Sequence, residues 1–266
     1  MKIYRIKRKK TSDSEALSRF MLVAGVIFIL LALLGFFLEW KRNAALPDAL
    51  EVARYTESVA MGEDELVYHK KKNNRMEIAL TFDDGPHPYY TPIILDILEE
   101  YGVSATFFTV GENIEYYPAT AERLLASGHE IENHTFTHAS IGKMNYDGIC
   151  REIEKCEDAV ASASERRTKF LRPPHGQMSE TVKQVIRDLD YRVVLWDVDT
   201  RDWAHTSPEA IAENILSVVT AGDIILMHDF IGHNSPTPAA LRLVIPQLLD
   251  MGFNFVTVSE LIDGNP

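Results

Sequence analysis

Two carboxylates stand side by side at Asp83 and Asp84, and further along the chain His134 and His138 are four positions apart. An i, i+4 pair of imidazoles falls on one side of a helical turn, which suits a divalent cation. One carboxylate of the doublet would bring the protein ligands to three and leave a position open for water, as in catalytic zinc sites. A bound ion lowers the pKa of that water from ~15.7 to about 7, so a nucleophile forms near neutral pH. The other carboxylate can act as base, and His228 can protonate a leaving nitrogen or oxygen. Spacing does not say which aspartate does which. Arg172 can pair with a carboxylate and hold it ionised, or form a structural salt bridge at a barrel end. Asp202 can orient His228 and raise its pKa, or cap the turn at 199–203. The plain alternatives for the principal pairs are a strand-ending Asp-Gly-Pro turn and two hydrogen-bonded surface histidines.

The elements that must position these side chains follow from alternating patterns. Short apolar runs at 77–82, 104–110, 130–132, 169–172, 192–197, 223–227 and 254–258 read as strands. Amphipathic segments at 91–101, 118–127, 146–163, 180–190, 208–220 and 238–251 read as helices between them. Pro92 and Pro208 stand near first turns, Ser207 can cap, and Gly102, Gly128 and Gly252 close helices where a left-handed residue is expected. Such βα repetition predicts parallel strands with crossover helices, either a (β/α) barrel or an open doubly wound sheet. Asp83, Asp84, His134, His138, Arg172, Asp197, Asp199, Asp202, His228 and Asp229 all fall at or beyond carboxyl ends of predicted strands. In barrels that is the face on which active sites are built.

The chain of 266 residues carries a formal charge of −12, yet its first twenty residues are basic: Lys2, Arg5, Lys7, Arg8, Lys9, Lys10 and Arg19 against Asp13 and Glu15. The acidic remainder is a poor match for nucleic acid, whose phosphates call for clustered Lys and Arg. Residues 20–38 hold no charged side chain, and at about 1.5 Å per helical residue they nearly cross a hydrocarbon core of roughly 30 Å. The apolar run is longer than a signal-peptide core, and Glu39-Trp40-Lys41-Arg42 follows without a small-x-small cleavage site, so a retained anchor is favoured over a cleaved signal. The basic flank predicts a cytoplasmic tail at 1–19, a single-pass anchor at 20–38, a stalk at 39–75 and an extracellular domain at 76–266. Cys150 and Cys156, six apart in one predicted helix, lie on different faces and read as free thiols.

Five ordered segments resemble the motifs of the polysaccharide deacetylases, the enzymes with a NodB homology domain grouped as carbohydrate esterase family 4. They are Thr81-Phe82-Asp83-Asp84-Gly85-Pro86, His134-Thr135-Phe136-Thr137-His138, Arg172-Pro173-Pro174-His175-Gly176, Asp197-Val198-Asp199-Thr200-Arg201-Asp202-Trp203 and Ile224-Ile225-Leu226-Met227-His228. The resemblance covers about 76–262. It implies a distorted (β/α)7-type barrel and metal-dependent removal of acetyl groups from N-acetylated sugars. By position, Asp83 would be the base, and Asp84, His134 and His138 would hold a divalent ion, commonly zinc, with cobalt or manganese as alternatives. Arg172 would tune the base, and His228 would be the acid, paired with Asp202. Leu226 and Trp203 would line the acetyl pocket, and the His175 amide would assist the oxyanion. One departure stands out: His175 replaces the usual Tyr or Phe, at a position facing the substrate groove. With the anchor and its sidedness, the expected substrate is the peptidoglycan glycan strand. Chitin oligomers, exopolysaccharide and acetylxylan stay open, as does a catalytically silent wall-binding protein.

Overall fold

The structure is a computed structural model that describes residues 67–69, 75–164 and 166–264. The predicted tail, anchor and most of the stalk lie outside the described residues, and among the described residues no helix is long and apolar enough to cross a membrane. Chain order is β1 (Val67–Tyr68), β2 (Glu77–Asp83), α1 (Tyr90–Tyr101), β3 (Thr106–Thr109), α2 (Gly111–Tyr116), α3 (Pro118–Ala126), β4 (Glu130–Asn133), α4 (Tyr146–Ser164) and β5 (Phe170–Leu171). It continues with α5 (Glu180–Asp188), β6 (Arg192–Val194), β7 (Val198–Asp199), α6 (Pro208–Val218), β8 (Ile224–His228), α7 (Thr237–Asp250), β9 (Asn254–Val256) and α8 (Val258–Asp263).

Every strand pairing is parallel, in the order β1-β6-β5-β4-β3-β2-β8-β7, with β9 beside the first half of β2. β6 and β7 lie toward opposite ends of that order, yet only residues 195–197 join them. A chain spans at most about 3.6 Å per residue, so the two ends of the sheet are drawn together and the sheet curls. The joining segment is tied to both ends: the Leu195 amide donates to the Tyr68 carbonyl at 2.8 Å and the Asp197 amide to the Ile224 carbonyl at 2.9 Å. The result is a curled half-barrel α/β fold.

Strand alternation then decides what faces inward. On β2, Ile78, Leu80 and Phe82 pack outward under α1, α6 and α7, while Ala79, Thr81 and Asp83 point in. On β8, Ile225 and Met227 face out, and Ile224 and Leu226 face in. The interior is apolar at its amino-terminal end, where Ala79, Phe108, Phe170, Val194 and Ile224 pack with Val258, Leu261 and Ile262 of α8. The opposite end is polar.

Several elements depart from the sequence reading. The predicted strand 192–197 breaks after Val194 and resumes at Val198, which frees Trp196 to turn toward the site. β1 adds an edge strand within the predicted stalk, and α2 and α8 were not foreseen. α8 starts with a capping box, Thr257 Oγ1 accepting from the Glu260 amide at 3.2 Å and Glu260 Oε2 from the Thr257 amide at 2.7 Å. That pairing ends the predicted strand 254–258 early. Cys150 and Cys156 are free thiols on α4.

Phe82 is wholly buried and stacks on Phe107 with centroids 4.9 Å apart. Phe82→Ala should cost about 3–5 kcal/mol and lower the calorimetric Tm by roughly 6–20 °C; an unchanged Tm would contradict this packing.

Candidate active site

Asp83 and Asp84 are neighbours that serve different partners, because the backbone turns between them. Asp83 ends β2, and Asp84 follows at φ 77°, in the left-handed region that costs a non-glycine residue roughly 1–3 kcal/mol. Asn113 Nδ2, on α2, donates to the Asp84 carbonyl at 2.7 Å and pins the turn. Gly85 is required for a steric reason: a Cβ there would stand 2.0 Å from Asp229 Oδ2. Asp229 itself is pushed up to about 7 by burial, which outweighs the hydrogen bond it accepts from Thr91.

The Asp83 carboxylate receives Arg172 Nη1 at 2.7 Å. Arg172 follows β5 and is completely buried, over the Phe108 ring at 4.0 Å. Three more of its donors are used on Thr81 Oγ1 at 2.8 Å, the Val194 carbonyl at 3.1 Å and the Leu195 carbonyl at 3.1 Å. Burial pushes the guanidinium pKa down and Asp83 opposes that shift.

Asp84 Oδ1 faces His134 Nε2 at 3.3 Å and His138 Nε2 at 3.1 Å. The predicted helical turn is absent. Residues 134–138 form a loop with Thr135 and His138 at φ 69° and 57°, and this loop, not helical periodicity, brings the imidazole centroids to 5.1 Å. His134 Nδ1 lies 2.6 Å from the Arg172 carbonyl, which fixes Nδ1–H as donor and turns the lone pair of Nε2 toward Asp84. Burial raises the Asp84 pKa, but His134 and His138 outweigh it and hold the carboxyl far below the usual range. His138 is pushed up by Asp84. Ligand atoms of Asp84, His134 and His138 all lie within 4.8 Å of one another. Asp84 Oδ1 is buried without a hydrogen-bond partner. A buried, unsatisfied carboxylate oxygen flanked by two imidazole nitrogens fits a divalent cation, and the N2O donor set suits zinc.

Across the cavity, Asp202 Oδ1 accepts from His228 Nδ1 at 2.8 Å, while Asp202 Oδ2 accepts from the His228 amide at 2.8 Å and Thr237 Oγ1 at 2.7 Å. Burial alone would lower the His228 pKa; Asp202, then Asp83 and Asp84, push it up to about 9. Asp83, Asp84, His134, His138, His175, Trp203, Leu226 and His228 line a cavity of about 350 Å³, with Arg172 and Asp202 behind it. Asp199, mapped to this face from the sequence without a role, lines it too, as does Trp196, which was not singled out; Asp199 Oδ1 accepts from Trp203 Nε1 at 3.3 Å. His175 sits at φ 59° with its ring edge-on to His138 at 5.1 Å, and burial lowers its pKa.

A curled parallel sheet bearing these five motifs at its carboxyl-terminal rim defines a class of hydrolase, and comparison with known proteins agrees. The polysaccharide deacetylase family model matches residues 70–194. A peptidoglycan-N-acetylglucosamine deacetylase of Bacillus cereus is 39% identical over 189 residues, covering 71% of this chain and 69% of that protein. The crystal structure of a peptidoglycan N-acetylglucosamine deacetylase is 37% identical with a TM-score of 0.73, over 76% of this chain and 94% of that one. A CE4 family pseudoenzyme from Bacillus anthracis is 26% identical with a TM-score of 0.70, over 75% of this chain and 69% of that one. The chain belongs to the polysaccharide deacetylase family.

Asp202→Asn removes the charge that favours protonated His228. If His228 is the acid, the alkaline limb of the kcat profile should fall near pH 9 and in this variant move toward acid by about one unit or more, in step with the His228 NMR titration. An unmoved limb would contradict the pairing.

Proposed function

We propose that this chain removes acetyl groups from the N-acetylated amino sugars of peptidoglycan at the outer face of the membrane. The observation that carries the reading is the convergence on one cavity of a carboxylate with its own arginine, an aspartate with two imidazoles, and a histidine with its own aspartate. The relatives named as peptidoglycan deacetylases support the substrate class.

Asp84, His134 and His138 would hold a divalent ion, zinc being the best fit, whose chemistry is to polarise an amide carbonyl and acidify water. Asp83, oriented by Arg172, takes a proton from the water that attacks the acetamide carbon. The His175 amide would donate to the oxyanion of the tetrahedral adduct. His228, protonated at neutral pH and held by Asp202, delivers its proton to the sugar nitrogen as the C–N bond breaks. Acetate and a glucosamine unit leave. Leu226 and Trp203 surround the acetyl methyl, and Trp196 and Asp199 extend that wall. Residues 20–38 would keep the domain beside the wall. One solved neighbour is a pseudoenzyme, but here the proposed base, acid and both supporting residues are all present.

The full chain should release acetate from purified peptidoglycan faster than from acetylxylan or chitin oligomers, and Asp83→Asn should lower kcat by about 10²–10⁴. No release from peptidoglycan would overturn the substrate, and a fully active Asp83→Asn would overturn the mechanism.

A further inference from the structure

The two imidazoles proposed as ligands are not held alike. The His134 side chain is 2% exposed and its Nδ1 lies 2.6 Å from the Arg172 carbonyl. The His138 side chain is 32% exposed, and among the described residues no protein group hydrogen-bonds its Nδ1. A ligating histidine is ordinarily oriented by a partner on its second ring nitrogen, so His138 must take its place from the backbone that carries it. That backbone holds a conformation it would not keep alone: Thr135 and His138 both sit in the left-handed region, at φ 69° and 57°.

One turn of α4 supplies the grip. Glu152, Lys155 and Cys156 stand on one face of that helix, at i, i+3 and i+4. Glu152 Oε2 accepts from the Thr137 amide at 2.8 Å, and the Thr137 hydroxyl is shared between Oε1 at 3.0 Å and Oε2 at 3.1 Å. Lys155 Nζ lies over the Phe136 ring, 5.2 Å from its centroid. Behind the loop, the Gly111 and Glu112 amides donate to the Thr135 and Phe136 carbonyls at 3.0 and 2.9 Å, and Gly111 fits there only without a side chain, since a Cβ would stand 2.7 Å from Phe136 Cδ2 and 2.8 Å from Cys156 Cα. Of these holds, that of Glu152 falls on the residue next to His138. Glu152 lies in none of the five motifs and lines no part of the cavity.

We infer that Glu152 is a positioning residue for the cation site: by holding the amide and hydroxyl of Thr137 it presets His138 against Asp84, and so sets how tightly Asp84, His134 and His138 grip a divalent ion. The inference rests on the proposed reading of those three side chains and deepens it. Hydrogen bonds to an ionised carboxylate are the stronger kind, and here two donors of one residue share it. A ligand set already in place loses little conformational freedom when the ion arrives. A loosened loop must be ordered at that moment, and affinity falls by that cost.

The test titrates zinc into the full chain, stripped of metal, against a chromophoric chelator that competes for the ion. Glu152→Ala should weaken zinc binding about tenfold or more, the loss usual when a group supporting a metal-bound histidine is removed. Glu152→Gln, whose amide oxygen can accept the same two bonds, should stay within about twofold of the unaltered chain. Thr137→Val keeps the amide bond and loses only that of the hydroxyl, so it should cost about threefold and add nothing once Glu152 is alanine. Should Glu152→Ala fail to fold by circular dichroism, the Thr137→Val loss decides alone. With substrate, acetate release by Glu152→Ala should fall at limiting zinc and recover in excess zinc. Unchanged zinc affinity in Glu152→Ala, or an equal loss in Glu152→Gln, would overturn the positioning role. No acetate release by the unaltered chain, with the Glu152 difference in zinc affinity intact, would sink the deacetylase reading and leave that role standing. No zinc binding by the unaltered chain would remove the cation site and the role of Glu152 together.

Discussion

Arg172 sets the geometry on which everything else rests. Its guanidinium is fully buried and paired with Asp83, and its own carbonyl bonds the ring of His134. One residue therefore positions both the proposed base and a proposed ligand. Burying an ion pair does little for stability by itself, since removing two charges from water costs several kcal/mol per ion. Breaking it is another matter, because a lone buried charge remains. Four hydrogen bonds from the guanidinium, to Asp83, Thr81 and two carbonyls, make the arrangement tolerable.

The same inner wall divides its labour along its length. Phe108, Phe170, Val194 and α8 fill the amino-terminal end with apolar contact, while Asp83, Arg172, Leu226 and His228 occupy the other. Stability gathered below and outside supports strain above: Asp84, Thr135, His138, His175 and Arg201 all hold positive φ at the rim. Between the two carboxylates the chain changes direction within one peptide, so Asp83 turns to a cation of the protein and Asp84 to two imidazoles. Opposing environments follow from that single turn.

Much of this was legible beforehand. Alternation of apolar and amphipathic runs revealed the βα order, and the ends of strands marked where Asp83, Arg172 and His228 would meet. The histidine pair was legible as a pair but for a wrong reason, since the segment is a loop whose left-handed residues carry no periodic signal. Trp196 was hidden by a strand prediction that continued through the bend joining the sheet's two ends. α2 was missed because six residues are too few for a periodic signal, and with it the hold of Asn113 on Asp84. The Thr257–Glu260 capping box was present in the sequence and outweighs the apolar run before it.

The most direct measurement is anomalous X-ray scattering from crystals grown with zinc, taken above and below the metal's absorption edge. A single anomalous peak among Asp84 Oδ1, His134 Nε2 and His138 Nε2, absent from crystals of His134→Ala, is the expected result. A peak elsewhere on the chain, or one that persists in His134→Ala with undiminished occupancy, would contradict the assignment of these three side chains as the cation site.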